Sequence, residues 1–257
     1  MQPLTLSLIQ TATHWHDAAA NLSLFTDLLD QVPAHAELVL LPEMFSTGFT
    51  MASAEVAQSM QGETVSWLRE QAIRLDKTVC ASVVIVDAAR FFNRFICASP
   101  DGTLISYDKR HLFRMAGEHE FYSAGQSRVV FNINGWRVLA SVCYDLRFPV
   151  WLRNQNDYDL LVCVANWPAA RQVTWNTLLR ARAIENQAFV AGVNIVGTDG
   201  NGVEYLGGSG IYAPDGEILV EQVGQADIIT RTIDPVVLKS LRETFPVWQD
   251  ADEFQLN

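Results

Sequence analysis

The stretch ASVCYDLRFP, residues 140–149, places a cysteine between an apolar run and a segment with helical character. A thiol at a strand end and beside a helix start lies near the positive end of the helix dipole, which lowers its pKa and exposes it to substrate. A free cysteine is otherwise most often a small buried side chain, which is the interpretation for Cys80, Cys97 and Cys163 inside apolar strand patterns. Cys143 is therefore a candidate nucleophile, although its local sequence leaves both interpretations open.

The histidines do not supply the usual base for this thiol. All five lie upstream of Cys143, whereas a cysteine–histidine pair in the papain order needs a later histidine. His14 and His16 form an H-x-H pair in a predicted loop without a third ligand in view, which favours a solvated pair over a metal site. We therefore expect no metal, and the base has to be another type of residue.

Two other charged residues follow strand-like runs. In LVLLPEMFSTGF (38–49), Glu43 follows a strand and a proline and has apolar neighbours, which suits a general base. In YDKRHLF (107–113), Lys109 ends a strand and precedes apolar residues that can hold an ammonium group in a cleft. Lone charged residues are more often solvated, but the strand ends carrying Glu43, Lys109 and Cys143 can converge on one site.

Together these segments resemble the nitrilase superfamily of carbon–nitrogen hydrolases. The matching stretches are LPE at Glu43, YDKRHLF at Lys109, SVCYDLRFP at Cys143 and RARAIENQAFV over 180–190. They occur in the family's order and at its usual separations, and the resemblance runs nearly end to end. It implies a Glu-Lys-Cys triad, no metal or cofactor, and an α-β-β-α sandwich with mixed sheets. It also implies subunits that pair through outer helices, so we expect a homodimer.

The resemblance further implies a second glutamate between the lysine and the cysteine. AGEHEFYSAG offers Glu118 and Glu120; counting back from the Ala-Gly turn favours Glu118, and Glu120 stays open. The residue types also have a physical rationale, because thiolate attack on a poorly electrophilic amide needs a stabilised oxyanion. Lys109 and the backbone N–H of Tyr144 can supply that stabilisation. Glu43 can take the thiol proton, protonate the departing ammonia and activate water against the thioester.

The segments around the predicted base and nucleophile look most like the omega-amidase branch, which hydrolyses the terminal amide of 2-oxo acids such as 2-oxoglutaramate and 2-oxosuccinamate. Such substrates carry a carboxylate away from the amide and need a cation there. Arg147 is the first candidate, with a structural ion pair as its alternative, and Arg171 and Arg114 are further candidates. Three aromatic residues are predicted to wall the pocket or, alternatively, to belong to the core: Phe45, Phe113 and Trp167.

Other activities remain open at this point. An amidase for deaminated glutathione, an N-carbamoyl hydrolase or a nitrile hydrolase can share the same triad. From a different class, the chain could be a redox-sensing thiol protein or a non-catalytic binding module. The presence of Glu43 and Lys109 in addition to Cys143 argues against both non-enzymatic interpretations.

The elements that must position these residues alternate between helical and strand patterns. Helical spacing is predicted over 17–32, 62–75, 148–155 and 173–187. Strands are predicted over 4–8, 37–41, 78–86, 91–98, 103–107, 136–142, 159–164, 189–196 and 227–233, with others around a hairpin turn at 214–216. This mixture, rich in hairpins, predicts a layered α/β or α+β fold with mixed sheets. No linker or repeat interrupts it, so we expect a single carbon–nitrogen hydrolase domain over 1–257.

Composition limits the partners. The 257 residues include 18 Lys+Arg against 29 Asp+Glu, a net charge of −11, which makes nucleic acid and anionic membranes improbable partners. Neither a signal peptide nor a membrane span is predicted. Four scattered cysteines without a CxxC pair fit reduced thiols in the cytoplasm. The expected partner is a small-molecule amide.

Overall fold

The computed structural model describes residues 1–252 and 254–256. Its strands are β1 (Leu4–Gln10), β2 (Leu38–Leu40), β3 (Thr78–Asp87), β4 (Arg90–Ala98), β5 (Leu104–Asp108), β6 (Val130–Ile133), β7 (Trp136–Val142), β8 (Leu160–Val164), β9 (Phe189–Val193), β10 (Val196–Thr198), β11 (Glu204–Tyr212), β12 (Ile218–Val223) and β13 (Asp227–Ile233). Its α-helices are α1 (Ala18–Leu29), α2 (Ser53–Val56), α3 (Glu63–Leu75), α4 (Glu118–Phe121), α5 (Pro149–Leu152), α6 (Gln172–Asn186) and α7 (Pro235–Thr244). Short 3₁₀ turns cover Arg114–Ala116, Cys143–Arg147, Ala169–Arg171 and Val247–Asp250. None of the described helices is long and apolar enough to cross a lipid bilayer.

The strands form two sheets, each of which mixes parallel and antiparallel pairs. The first sheet has the order β13-β1-β2-β3-β4-β5, with β2 parallel to both of its neighbours. The second has the order β10-β11-β9-β8-β7-β6, with β12 paired to β11 and β8 parallel to both of its neighbours. Because parallel strands end on the same side, their carboxyl ends gather polar loops at one edge of each sheet.

The inner faces of the two sheets share one apolar core. Leu4, Leu6 and Leu8 alternate along β1 and belong to the same buried cluster as Trp136 and Val138 of the second sheet. Side chains of a strand alternate between its two faces, so this period of two turns the leucines toward the opposite sheet. The predicted sandwich with mixed sheets is therefore confirmed.

Helices cover the outer faces of the sandwich. From α1 and α3, Phe25 and Leu68 join a buried cluster with Val39 of the first sheet. On the second sheet, α6 crosses β9 at Gly192, where an added Cβ would lie 2.7 Å from the Leu179 side chain. That approach is too close for any larger residue, so the glycine allows α6 to pack directly on the strand.

Two predicted elements differ from the structure. The helix expected over 148–155 is reduced to α5. Pro149 disfavours the helical conformation at Phe148, which takes φ −111° and ψ 89°, and the extended backbone of Arg153 (φ −60°, ψ 127°) ends the helix after Leu152. The strand expected over 189–196 divides into β9 and β10, because the Asn194 side chain accepts backbone N–H groups at the break.

Candidate active site

Four strand ends meet at one end of the sandwich. Glu43 follows β2, Lys109 follows β5, Cys143 follows β7 and Asn166 follows β8. A cavity of about 750 Å³ opens there, and Lys109, Cys143 and Asn166 are part of its wall. The three strand-end residues singled out in the sequence therefore lie together.

A buried ionic cluster occupies the base of this site. The Lys109 Nζ atom lies 2.9 Å from Glu43 Oε1 and 3.0 Å from both carboxylate oxygens of Glu118. All three side chains are fully buried. Glu120, the alternative second glutamate, is exposed, and its Oε1 lies 4.0 Å from His119 Nε2. Of the two glutamates that the sequence left open, the one in contact with Lys109 is thus Glu118.

Burial and neighbouring charges shift the pKa values of this cluster in opposite directions. Burial by itself lowers the pKa of Lys109, but the charges of Glu118 and Glu43 outweigh it and hold that pKa well above its ordinary value. The pKa of Glu118 is raised, chiefly by burial, with Lys109 opposing and Glu43 adding to the effect. The lysine is therefore a firmly protonated cation at neutral pH.

Two asparagines that the sequence analysis did not single out hold Glu43 in place. Asn93 Nδ2 donates to Glu43 Oε1 at 2.7 Å and to Glu118 Oε1 at 3.3 Å. The backbone N–H of Asn166 donates to Glu43 Oε2 at 2.8 Å, and Asn166 Nδ2 donates to the Glu43 carbonyl at 2.8 Å. Asn93 could have been recognised as a polar residue within the largely apolar strand sequence RFFNRFICA. A buried polar side chain needs hydrogen-bond partners, so its position indicated a polar cluster nearby.

Cys143 lies in a constrained backbone conformation. Its φ of +47° is in the left-handed region that non-glycine residues rarely adopt, a type of strain that is common at functional sites. The residue is 9% exposed, and its Sγ lies 3.9 Å from the carbonyl oxygen of Asn166. The turn therefore directs a nearly buried thiol toward the strand-end cluster.

The environment of this thiol corrects the expectation of a lowered pKa. Burial raises the pKa of Cys143 well above its ordinary value; the charge of Glu43 raises it further, and Lys109 only partly opposes them. The helix that the sequence placed after Cys143 is a five-residue 3₁₀ turn, so it has little dipole to offer. The thiol is consequently neutral at physiological pH and needs a base.

Asp145 holds the turn that carries Cys143 in place. The sequence analysis did not single out this residue. Its Oδ2 accepts from Tyr107 Oη at 2.7 Å and from the backbone N–H of Val142 at 3.1 Å. Its Oδ1 accepts from the backbone N–H of His111 at 2.9 Å and lies 2.8 Å from His111 Nδ1. One buried carboxylate thus ties the turn that carries Cys143 to the segment that carries Lys109.

The cavity wall contains most, but not all, of the residues predicted to bind substrate. Five of these line it: Tyr144, Phe113, Trp167, Arg147 and Arg171. Phe45 does not, because it is fully buried between Phe25 and Trp67 in the core under the outer helices. Arg114 is exposed and also lies outside the wall.

The two arginines of the wall rest on aromatic rings. Arg147 Cζ lies 5.3 Å from the ring centroid of Trp167, and Arg171 Cζ lies 5.2 Å from that of Phe113. Among the residues that the structure describes, neither arginine forms an ion pair, which removes the structural alternative considered for Arg147 within that part of the chain. Both guanidinium groups are available to a ligand in the cavity.

Comparison with known proteins identifies the family. The family model for carbon–nitrogen hydrolases matches residues 5–243. The chain belongs to the carbon–nitrogen hydrolase family. It is 50% identical to omega-amidase YafV of Yersinia enterocolitica over the whole of both chains, and 32% identical to a 2-oxoglutaramate amidase of Bacillus subtilis over 96% of each. A CN-hydrolase superfamily protein of Xanthomonas campestris, solved with an arsenic adduct in its active site, superposes with a TM-score of 0.98 at 45% identity over the whole of both chains.

The rim of the cavity in this carbon–nitrogen hydrolase comes from segments that the sequence did not indicate. Trp15 and His16 line it, and His16 Nε2 lies 2.8 Å from Thr50 Oγ1. His14 and His16 are both exposed, as expected for a solvated pair; of the two, His16 lines the cavity and His14 does not. The described residues contain no group of three or more His, Cys, Asp or Glu side chains able to hold a metal ion.

Proposed function

We propose that this carbon–nitrogen hydrolase is an omega-amidase. It hydrolyses the terminal amide of 2-oxo acids, such as 2-oxoglutaramate and 2-oxosuccinamate, to the 2-oxo dicarboxylate and ammonia. The observation that carries the proposal is the thiol of Cys143 in the wall of a cavity, beside a buried Glu-Lys-Glu cluster. The full-length similarity to an omega-amidase and a 2-oxoglutaramate amidase supports the choice of substrate class.

Acylation in this proposal begins with proton transfer from Cys143 to Glu43. The raised pKa of the thiol means that the free enzyme holds few thiolates, so the proton leaves as sulfur attacks the amide carbon. The C–N bond then breaks, Glu43 returns the proton to nitrogen, and ammonia leaves a thioester on Cys143. Attack of water on the thioester, with Glu43 again taking the proton, releases the acid and restores the thiol.

The oxyanion formed during both attacks needs two donors. Lys109 supplies a fixed positive charge, because the two glutamates keep it protonated. The N–H of Tyr144 is the second donor, since the first N–H groups of a 3₁₀ turn have no acceptor within the turn. Glu118 binds Lys109 through both oxygens and, together with Glu43, holds the ammonium group between the two carboxylates. Glu118 is therefore a positioning residue, whereas the other side chains act on the reacting atoms.

The distal carboxylate of the substrate has two candidate partners in the wall, Arg147 and Arg171. A guanidinium group grips a carboxylate in two places and is favoured for such contacts over lysine. Phe113 and Trp167 hold the two guanidinium planes and give the cavity an apolar wall for the methylene groups of the acyl chain. This arrangement selects an amide that ends in a carboxylate.

The burial and the pKa of Cys143 argue against a redox-sensing role for this thiol. Redox-sensor thiols have a low pKa and are accessible to oxidants. Cys143 is nearly buried and has a raised pKa. Its environment suits a nucleophile that is activated only when substrate is bound.

The proposal extends to assembly and location. We infer a homodimer that pairs through outer helices, which is consistent with the exposed Val173 and Ile184 on α6. We also infer a cytoplasmic location, because all four cysteines are free thiols, as expected in a reducing compartment.

A panel of amides tests the activity. Ammonia release is measured from 2-oxoglutaramate, 2-oxosuccinamate, an N-carbamoyl amino acid, a nitrile and deaminated glutathione, with Cys143→Ala as the control. The 2-oxo acid amides are expected to be turned over with the highest kcat/KM, and Cys143→Ala is expected to remain folded and inactive. A preference for the carbamoyl compound or the nitrile, or turnover by folded Cys143→Ala, would reject the proposal.

A further inference from the structure

One buried acceptor in the wall of the cavity has no partner. Asn166 is 3% exposed, and its Oδ1 accepts no hydrogen bond from any residue that the structure describes. A few other buried side-chain atoms in the described part of the chain also lack a partner, but none of those residues lines the cavity with Cys143. Leaving a buried acceptor without a donor costs free energy, so its position beside the nucleophile points to a ligand.

The orientation of the Asn166 amide is determined by its other contacts. Its Nδ2 donates to the carbonyl oxygen of Glu43 at 2.8 Å, and a carbonyl oxygen can only accept. Exchanging the two amide atoms would place two acceptors against each other, so the free atom is the oxygen. The backbone N–H of the same residue binds Glu43 Oε2, and its carbonyl lies 3.9 Å from Cys143 Sγ. The free acceptor therefore belongs to a residue that touches both the base and the nucleophile.

A primary amide has the complementary groups. Its carbonyl oxygen faces the oxyanion donors, and its NH₂ group brings two donors that need acceptors inside the cavity. Glu43 already accepts from Lys109, Asn93 and the Asn166 backbone, so it has limited capacity for them. The Asn166 oxygen is an unused acceptor of the right type beside that carboxylate.

We propose that Asn166 Oδ1 accepts a hydrogen bond from the amide nitrogen of the substrate. This inference rests on the proposed amide hydrolysis and adds a residue that selects the leaving group. The bond orients the nitrogen toward Glu43, which delivers the proton as ammonia leaves. An ester of the same acid has no N–H to donate, and the carboxylate product turns an oxygen toward the Asn166 oxygen. The site therefore favours amides over esters and disfavours retention of the product.

The test compares the amide and the methyl ester of one acid in three proteins. kcat/KM for 2-oxoglutaramate and for the ω-methyl ester of 2-oxoglutarate is measured in the wild type, Asn166→Leu and Asn166→Asp. Leu removes the acceptor and the donor, whereas Asp removes the donor to Glu43, keeps an acceptor and adds a second carboxylate beside Glu43. We expect Asn166→Leu to lower the amide-to-ester ratio about three- to tenfold. Asn166→Asp should reduce both activities while keeping the ratio closer to that of the wild type.

The outcomes separate this inference from the proposed function. An unchanged amide-to-ester ratio in Asn166→Leu overturns the inference while the amidase activity of the wild type stands. A wild type that hydrolyses neither compound overturns both proposals. If Asn166→Leu does not fold, Asn166→Ser, which removes the terminal amide group and stays polar, carries the same comparison. A loss that is equal for amide and ester in that variant also rejects the inference, because it marks a structural role only.

Discussion

At the scale of single residues, the site combines a thiol and an ammonium group whose pKa values are both raised by their surroundings. Burial raises the pKa of Cys143, while two carboxylates raise that of Lys109 despite its burial. A neutral thiol therefore lies beside a permanent cation. This division lets one carboxylate, Glu43, act as the proton carrier while Lys109 supplies charge to the oxyanion.

Changes at Glu43 and Lys109 are expected to block acylation itself. Glu43→Gln keeps the shape of the side chain but cannot take the thiol proton, and Lys109→Met removes an oxyanion donor. Loss of one such donor typically lowers kcat by a factor of about 10² to 10³. Rapid-quench measurement of ammonia in a single turnover should show no burst in either variant, and exposed Lys239→Met is the control. A normal burst from folded Lys109→Met would contradict the role given to Lys109.

The raised pKa of Cys143 also predicts how stability depends on pH. The unfolded chain loses the thiol proton near the ordinary pKa of 9.0, whereas the folded protein keeps it to higher pH. Because the folded state then binds more protons, its stability falls as pH rises above that value, by about 1.4 kcal/mol per pH unit and per group. Cys143→Ala lacks this loss, so its melting temperature relative to wild type should rise between pH 7.5 and 10.5. A difference that stays constant over this range would argue against the buried, neutral thiol.

At the scale of elements, the indole of Trp15 joins its own loop to two other loops that line the cavity, the one after β2 and the one between β10 and β11. An added Cβ at Gly48, in the loop after β2, would lie 2.8 Å from this ring, and one at Gly200, in the β10–β11 turn, would lie 2.4 Å from it. The ring also stacks on His16, with centroids 4.6 Å apart. The two glycines are therefore places where only a missing side chain leaves room for the indole.

Removal of the Trp15 indole should make the loops that pack against it more mobile. Trp15→Ala is expected to raise KM and to lower the free energy of unfolding by about 1–3 kcal/mol, because it leaves a gap between two loops. Gly200→Ala should also raise KM, since its Cβ displaces the ring. Gly202→Asn is the matched control in the same turn, because no atom lies within 4 Å of its Cβ position and asparagine tolerates its φ of +76°. Unchanged KM in both Trp15→Ala and Gly200→Ala would show that the rim does not position substrate.

At the scale of the whole molecule, the two sheets meet in one core and the site lies where their strand ends approach each other. Glu43 and Lys109 come from the first sheet, whereas Cys143 and Asn166 come from the second. The relative placement of the two sheets therefore sets the geometry of the site. The prediction that 1–257 forms one domain is consistent with this shared core and stays a prediction.

The protein is expected to form a dimer in solution. Light scattering at low micromolar concentration is expected to give a mass near twice the 28.7 kDa of one chain. Ile184→Glu on α6 should shift the protein toward monomer if the outer helices pair, whereas Val236→Glu on α7, another exposed apolar side chain, serves as the control. A wild type that is only monomeric would remove the dimer from the proposal.

Features that depend on local pattern and on motif could be predicted from the amino-acid sequence alone. Period-two leucines predicted β1, the helical spacing predicted α1, α3 and α6, and three short motifs predicted which strand ends carry Glu43, Lys109 and Cys143. These features depend on neighbours within a few residues, so they can be recognised along the chain. The family resemblance added the sandwich, which the structural comparison confirms.

Features that depend on residues far apart in sequence could not be predicted in this way and became evident from the folded molecule. The pKa of Cys143 follows from burial against the opposite sheet, which a local helix-dipole argument cannot include. Asn93, Asp145 and Asn166 gained their roles from partners brought by other strands, and Phe45 lost its predicted role because α1 and α3 cover it. Desolvation and hydrogen-bond partnership are properties of the packed molecule, so no pattern along the chain specifies them.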